Sequence, residues 1–72
     1  MVTVYTLPAC VQCDSTKRSL KKNNIPFQEI DLSQDPDALE MVRELGYTAA
    51  PVVMAGEDHW SGFRPDKLAT LS

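Results

Sequence analysis

No run of apolar residues approaches the roughly 18 that a membrane-spanning helix requires, so no such helix is expected. Basic residues are in the minority, seven against ten carboxylates, for a net charge of −3. Nucleic acid and anionic membrane, which reward a basic surface, are therefore not expected partners. Histidine occurs once, as His59, which leaves the two cysteines short of ligands for a closed zinc site, and no metal is expected. Three glycines and five prolines are too few for a linker or low-complexity tract, and no repeat is present. The chain enters VTVYT with no basic leader or cleavage site, which reads as cytoplasmic. At 72 residues it buries only roughly 60% of the surface its unfolded form exposes, pointing to one domain over residues 1–72 with a single core.

What is present is strong local punctuation. Val2 to Thr6 is β-branched and aromatic, a strand that stops at Pro8. A helix follows from about Cys10 or Val11 to Lys22, with a thin apolar stripe of Cys13, Thr16 and Leu20, and ends at Asn23 and Asn24. Lys17, Arg18, Lys21 and Lys22 cluster on it and read as a solvated face whose cations suit the helix C-terminal half. Phe27 to Leu32 is a second strand. The next segment has a full helix signature: Asp35 as cap, Pro36 at the first position, a stripe of Ala38, Met41, Val42 and Leu45, and Gly46 as stop. Pro51 to Met54, the turn AGED and then HWS form a hairpin, and Pro65 opens a last helix reaching Leu71. The order is strand, helix, strand, helix, strand, strand, helix, an α/β chain whose first crossover makes two strands parallel. Such folds place chemistry at the carboxyl edge of the sheet, where Cys10 falls.

The only two cysteines, Cys10 and Cys13, are spaced C-x-x-C. A structural staple would close a very small loop and stabilise little. In a reducing compartment a working redox pair fits better than a permanent bridge. Helix positions i and i+3 lie about 5 Å apart at Cα, inside the range a disulfide accepts. Cys10, at the helix start, faces unpaired N–H groups and the positive end of the dipole, so its thiolate is favoured and its pKa is expected below the free value of about 8.5. Cys13, one turn in and on the buried stripe, is expected to be less exposed. Cys10 is thus the nucleophile that attacks a partner disulfide, and Cys13 resolves the mixed disulfide.

CVQC after a strand, TAAPVV before the third strand and WSGFRPDKL near the end together resemble the NrdH-redoxins, over almost the whole chain. The resemblance implies a thioredoxin fold, βαβαββα, with a four-stranded mixed sheet flanked by three helices. It implies a thiol–disulfide oxidoreductase with no bound cofactor, reduced by thioredoxin reductase at the expense of NADPH. The implied acceptor is the large subunit of class Ib ribonucleotide reductase. Carried over by position, Pro8, Ala9, Val11 and Gln12 complete the active-site loop around Cys10 and Cys13. Pro51 matches the proline after a cis peptide bond. Thr48, Ala49, Ala50 and Pro51, with Trp60, Ser61, Gly62, Phe63 and Arg64, are the expected substrate and partner contacts. Phe27, Met41, Tyr47 and Met54 are expected in the core or at its rim, and His59 is expected to be a solvated residue without a role. A monomer is expected, since a small chain must leave a face open to large partners.

Three rival functions remain, of which one, a non-catalytic binding module that kept the fold, would survive Cys10→Ser. A glutathione-dependent glutaredoxin shares the fold and nucleophile, but Arg64 and Pro65 stand where glutaredoxins often place glycines and acidic residues. An iron–sulfur or metal carrier, with Cys10 from two copies bridging a cluster, would absorb near 400 nm when prepared without oxygen.

Overall fold

The computed structural model describes residues 1–71; Ser72, part of the domain expected over 1–72, lies outside the described residues. The elements are β1 (Val2–Thr6), α1 (Val11–Lys22), β2 (Phe27–Asp31), α2 (Pro36–Glu44), β3 (Val52–Ala55), β4 (Asp58–Ser61) and α3 (Pro65–Leu68), followed by a 3-10 turn over Ala69–Leu71. They form one four-stranded sheet in the order β2-β1-β3-β4. β1 runs parallel to β2 and antiparallel to β3, and β3 pairs antiparallel with β4. This is the thioredoxin fold, a mixed sheet with three helices. No helix among the described residues is long and apolar enough to cross a membrane.

Both faces of the sheet are buried, which corrects the expectation of a single core. On one face Val2, Val4, Val53 and Trp60 pack under Leu20 of α1 and Leu68 of α3. On the other, Tyr5 and Val52 pack with Leu32 under Ala38 and Val42 of α2. Adjacent residues of a strand point to opposite faces, so Val4 and Tyr5 of central β1 serve one cluster each. Trp60 anchors the first cluster although its buried indole N–H has no hydrogen-bond partner among the described residues. Burying some 200 Å² of largely apolar surface is worth roughly 5 kcal/mol, against about 1–3 kcal/mol for an unmet donor, so the burial wins.

Most boundaries agree with the sequence reading, and the departures have local causes. Leu32 still donates to Thr6 C=O at 2.8 Å, but the chain turns there, with Gln34 N–H on Asp31 C=O at 3.0 Å, so β2 ends one residue early. Pro51 lacks a ladder donor, and β3 begins after it. The hairpin turn is only Gly56–Glu57, since Ala55 already pairs with Asp58. Gly56 has φ +63°, a conformation that suits glycine. Leu45 caps α2 and is exposed, outside the stripe it was expected to join, and the last helix tightens into 3-10 geometry after Leu68.

Candidate functional site

The turn after β1 sets the position of the first sulfur. Ala9 has φ +55°, a left-handed conformation that disfavours a residue with a Cβ by roughly 1–2 kcal/mol. That strained residue delivers Cys10 to the cap of α1 in extended backbone, where its Sγ accepts the Cys13 N–H at 3.1 Å. Cys13, one turn further on, is buried at 1% exposure, while Cys10 is half-buried. The two are joined as a disulfide with Cα atoms 5.2 Å apart. One sulfur is thus half-exposed at the helix N-terminus, holding the Cys13 N–H, and the other is buried one turn further on. The asymmetry expected from sequence is present.

Facing this turn in the fold is the loop before β3. Its Ala50–Pro51 peptide is cis. Three consecutive residues, the last of β4 and the two beyond it, tie that loop to the cysteine turn: Ser61 Oγ donates to Ala49 C=O at 2.9 Å, Gly62 N–H to Pro51 C=O at 2.8 Å, and Phe63 N–H to Gln12 Oε1 at 3.1 Å. The last bond spans 51 positions of sequence and reaches the dipeptide between the cysteines. Gly62 permits the approach: its φ is +87°, and a Cβ there would sit 3.3 Å from Gln12 Oε1.

Beside the loop lies an open apolar cavity of about 250 Å³, with Leu7 and Thr48–Ala50 at its mouth and Leu32, Leu39 and Val42 behind. Tyr47 forms part of its wall and is fixed by His59, Tyr47 Oη lying 2.6 Å from Nδ1 with the rings edge to face. With the imidazole proton on Nε2, the phenol donates. Next in sequence after Phe63, Arg64 holds Asp66 through two bonds, Nε–Oδ1 at 3.1 Å and Nη2–Oδ2 at 2.8 Å. This pairing keeps the Asp66 carboxyl below the usual carboxylate range.

The sequence matches the Glutaredoxin family over residues 2–60. It is 43% identical to the glutaredoxin-like protein NrdH of Salmonella typhimurium over 97% of this chain and 86% of that protein. The corresponding protein of Lactococcus lactis subsp. cremoris is also 43% identical, over the whole of both chains. The chain belongs to the NrdH-redoxins, within the glutaredoxin family. The solved Escherichia coli NrdH-redoxin superimposes with a TM-score of 0.96 at 42% identity, covering 99% of this chain and 93% of that one. Like other NrdH-redoxins, the protein is a thiol–disulfide oxidoreductase whose disulfide is Cys10–Cys13.

The structure brings most of the sequence-selected residues of this NrdH-redoxin to one end of the sheet. Pro8, Ala9, Val11 and Gln12 surround Cys10 and are exposed, as are Thr48 and Ala49, with Ala50 half-buried and Pro51 buried. Ser61, Gly62 and Phe63 form the tie just described. Trp60 has its side chain in the core, away from the surface where a partner would sit. Two residues were passed over in the sequence: Tyr47 is a cavity wall as well as rim of the core, and His59 holds it. Alternation offered a signal for the second, since His59 and Ser61 share the face of β4 opposite Trp60 and both reach the 47–49 loop. Among the described residues no group of three or more His, Cys, Asp or Glu could hold a metal ion.

Proposed function

We propose that this NrdH-redoxin carries electrons from thioredoxin reductase, and through it from NADPH, to the large subunit of class Ib ribonucleotide reductase, with Cys10 as nucleophile and Cys13 as resolving thiol. One observation carries the assignment of roles: Cys10 Sγ sits at the helix cap accepting the Cys13 N–H at 3.1 Å, while Cys13 is 1% exposed. In the reduced protein the same N–H and the helix dipole favour a Cys10 thiolate. That thiolate attacks one sulfur of the partner disulfide; the partner S–S bond breaks and its other sulfur leaves as a thiolate that takes up a proton. Cys13 then loses its proton and attacks Cys10 Sγ, releasing the second partner thiol and leaving Cys10–Cys13 oxidised by two electrons. The reductase reverses the exchange.

An extended partner segment would lie along Thr48–Pro51, pairing with the backbone of Ala50 as an added strand. The chemistry needs no bound cofactor, because the pair itself stores the electrons. The donor and acceptor are supported by the relatives: the NrdH name points to the reductase complex, and the Escherichia coli protein has a thioredoxin-like activity profile. Glutathione is expected to be a poor reductant, since Arg64 and Pro65 occupy the segment glutaredoxins use for it and Arg64 is already committed to Asp66. A single cytoplasmic domain acting as a monomer completes the proposal.

The test is NADPH consumption by the oxidised protein with a small disulfide as final acceptor, once with thioredoxin reductase and once with glutathione plus glutathione reductase. Turnover with thioredoxin reductase alone is expected, followed by reduction of the ribonucleotide reductase subunit. Turnover with glutathione alone would replace the proposal with a glutathione-dependent one.

A further inference from the structure

Charge is segregated in this protein. Residues 11–22 hold four cations and one carboxylate, while residues 31–44 hold five carboxylates and one cation, so an acidic chain keeps one strongly basic helix. Lys17 is engaged, bonded to Glu29 at 2.9 Å and near Asp14 at 3.7 Å. Arg18 and Lys22 form no ion pair among the described residues. With Ser15 and Ser19 they occupy positions i, i+3, i+4 and i+7, one helix face, and line a shallow concavity of about 290 Å³ whose other wall is Phe63.

Three features argue against reading this face as merely solvated. Helix-dipole complementarity accounts for cations only in the last turn, which covers Lys22 but not Arg18 in mid-helix. Phe63 is a large apolar side chain left 37% exposed beside the cations, the pairing of an apolar wall with charge that a binding surface shows. Phe63 is also not loose, because its N–H is held by Gln12, between the two cysteines. The same face begins at Val11, next to Cys10 and 79% exposed.

We infer that the outer face of α1, from Val11 through Arg18 to Lys22 with Phe63 as its wall, docks an acidic extended segment that flanks the disulfide of a protein substrate. The inference rests on the thiol–disulfide exchange proposed above. At 1.5 Å rise per residue, Arg18 lies about 12 Å and Lys22 about 18 Å along the helix from Cys10. An extended chain rises about 3.3 Å per residue, so the carboxylates that would meet them stand roughly four and six residues from the reactive cysteine. Opposite charge at a solvated rim raises the encounter rate and makes it salt-dependent.

Three synthetic peptides with an identical disulfide loop, carrying aspartate, serine or lysine at the fourth to sixth residues beyond it, test this against the reduced protein. The mass gain of two hydrogen atoms per peptide reports the uptake of two electrons with two protons. At low salt the aspartate peptide is expected to react about tenfold faster than the serine peptide and the lysine peptide several-fold slower, with the order erased in half-molar salt. Arg18→Glu combined with Lys22→Glu is expected to invert the order while leaving reduction of uncharged hydroxyethyl disulfide unchanged. Equal rates for the three peptides, or an order that survives the double reversal, would overturn the docking surface and leave the redox reading standing. Failure to reduce even hydroxyethyl disulfide would overturn the redox reading beneath it.

Discussion

Helices α1 and α2 begin with the same geometry. Cys10 Sγ accepts the Cys13 N–H at 3.1 Å, and Asp35 Oδ1 accepts the Ala38 N–H at 3.0 Å, each cap in extended backbone. What differs is everything around the cap. α2 has a carboxylate cap, proline at its first position and an apolar pair, Ala38 and Val42, on the core. α1 has sulfur, a weak acceptor, preceded by the strained Ala9. The second helix uses its cap to be a helix. The first uses the helix to present a sulfur, and gives up about 1 kcal/mol of capping energy to do so. It recovers anchorage elsewhere, from buried Cys13, Thr16 and Leu20, from Gln12 bound to Phe63, and from Lys17 bound to Glu29.

Replacing the sulfur breaks this comparison most sharply. Cys10→Ser supplies a better cap, so thermal stability in reducing buffer should hold or rise slightly, while disulfide reduction falls on the order of a thousandfold or more. A variant that kept its turnover would show that Cys10 is only a cap. Cys13→Ser should leave Cys10 able to attack and unable to be released, so that mass spectrometry finds the protein joined to its substrate.

A pair of glycines sharpens the contrast at the next level of effect. Gly46, after α2, and Gly62, beside α1, have φ +93° and +87°, but a Cβ at Gly46 would meet nothing within 4 Å whereas one at Gly62 would meet Gln12 Oε1 at 3.3 Å. Both alanine variants should lose roughly 1–2 kcal/mol to the left-handed backbone, read by urea unfolding. Only Gly62→Ala should also slow turnover, because only there does the intruding methyl press on the cysteine turn. Equal turnover losses in the two would mean that the tie from 61–63 does not set the site.

Asp35→Ala addresses the structural cap alone. It should cost about 1 kcal/mol, which for a domain of this size is a fall in melting temperature of about 4–8 °C, with turnover at 25 °C unchanged.

The same contrast explains what could be read from sequence. The α2 cap, its proline and Gly46 are local signals within a dozen residues, and they put the helix where it is. The C-x-x-C spacing together with a preceding strand was enough to locate Cys10 at a helix start and Cys13 on the buried side. The ties that shape the site are not local. Gln12 to Phe63 crosses 51 positions, and Tyr47 to His59 depends on the pairing register of β3 and β4, which no run of residues announces. Trp60 illustrates the complementary error: its string marks the family, but alternation on β4 turns its ring inward and leaves its neighbours at the surface. The two cores escaped notice because chain length bounds the buried area without saying how many sheet faces share it.

The smallest effect is the anchorage of α1 through charge. Lys17 Nζ lies 2.9 Å from Glu29 Oε2, and Thr6 Oγ1 donates to the same oxygen at 3.1 Å. The Lys17 hydrogen bond is the largest cause that holds the Glu29 carboxyl below its ordinary value near 4.5; desolvation opposes it, and the Thr6 hydrogen bond adds a weaker pull in the same direction as Lys17. A depressed carboxyl stabilises the fold above its unfolded pKa and loses that contribution as pH falls through the folded value, so the pair acts at neutral pH and its contribution begins to decline below about pH 4.5. With the Glu29 side chain 43% exposed, solvent screens the pair to a few tenths of a kcal/mol. Urea unfolding of Glu29→Gln should therefore be slightly easier than wild type at pH 7, with the difference smaller at pH 3. Part of the acid sensitivity should persist in the variant, because Asp31, bonded by the Ser33 hydroxyl and N–H, and Asp66, bonded by Arg64, are depressed in the same direction. A variant equally destabilised at both pH values would mean that Glu29 anchors α1 by shape and not by charge, and the contrast between a helix held by ionic ties and one held by its cap and apolar stripe would then fail on the α1 side.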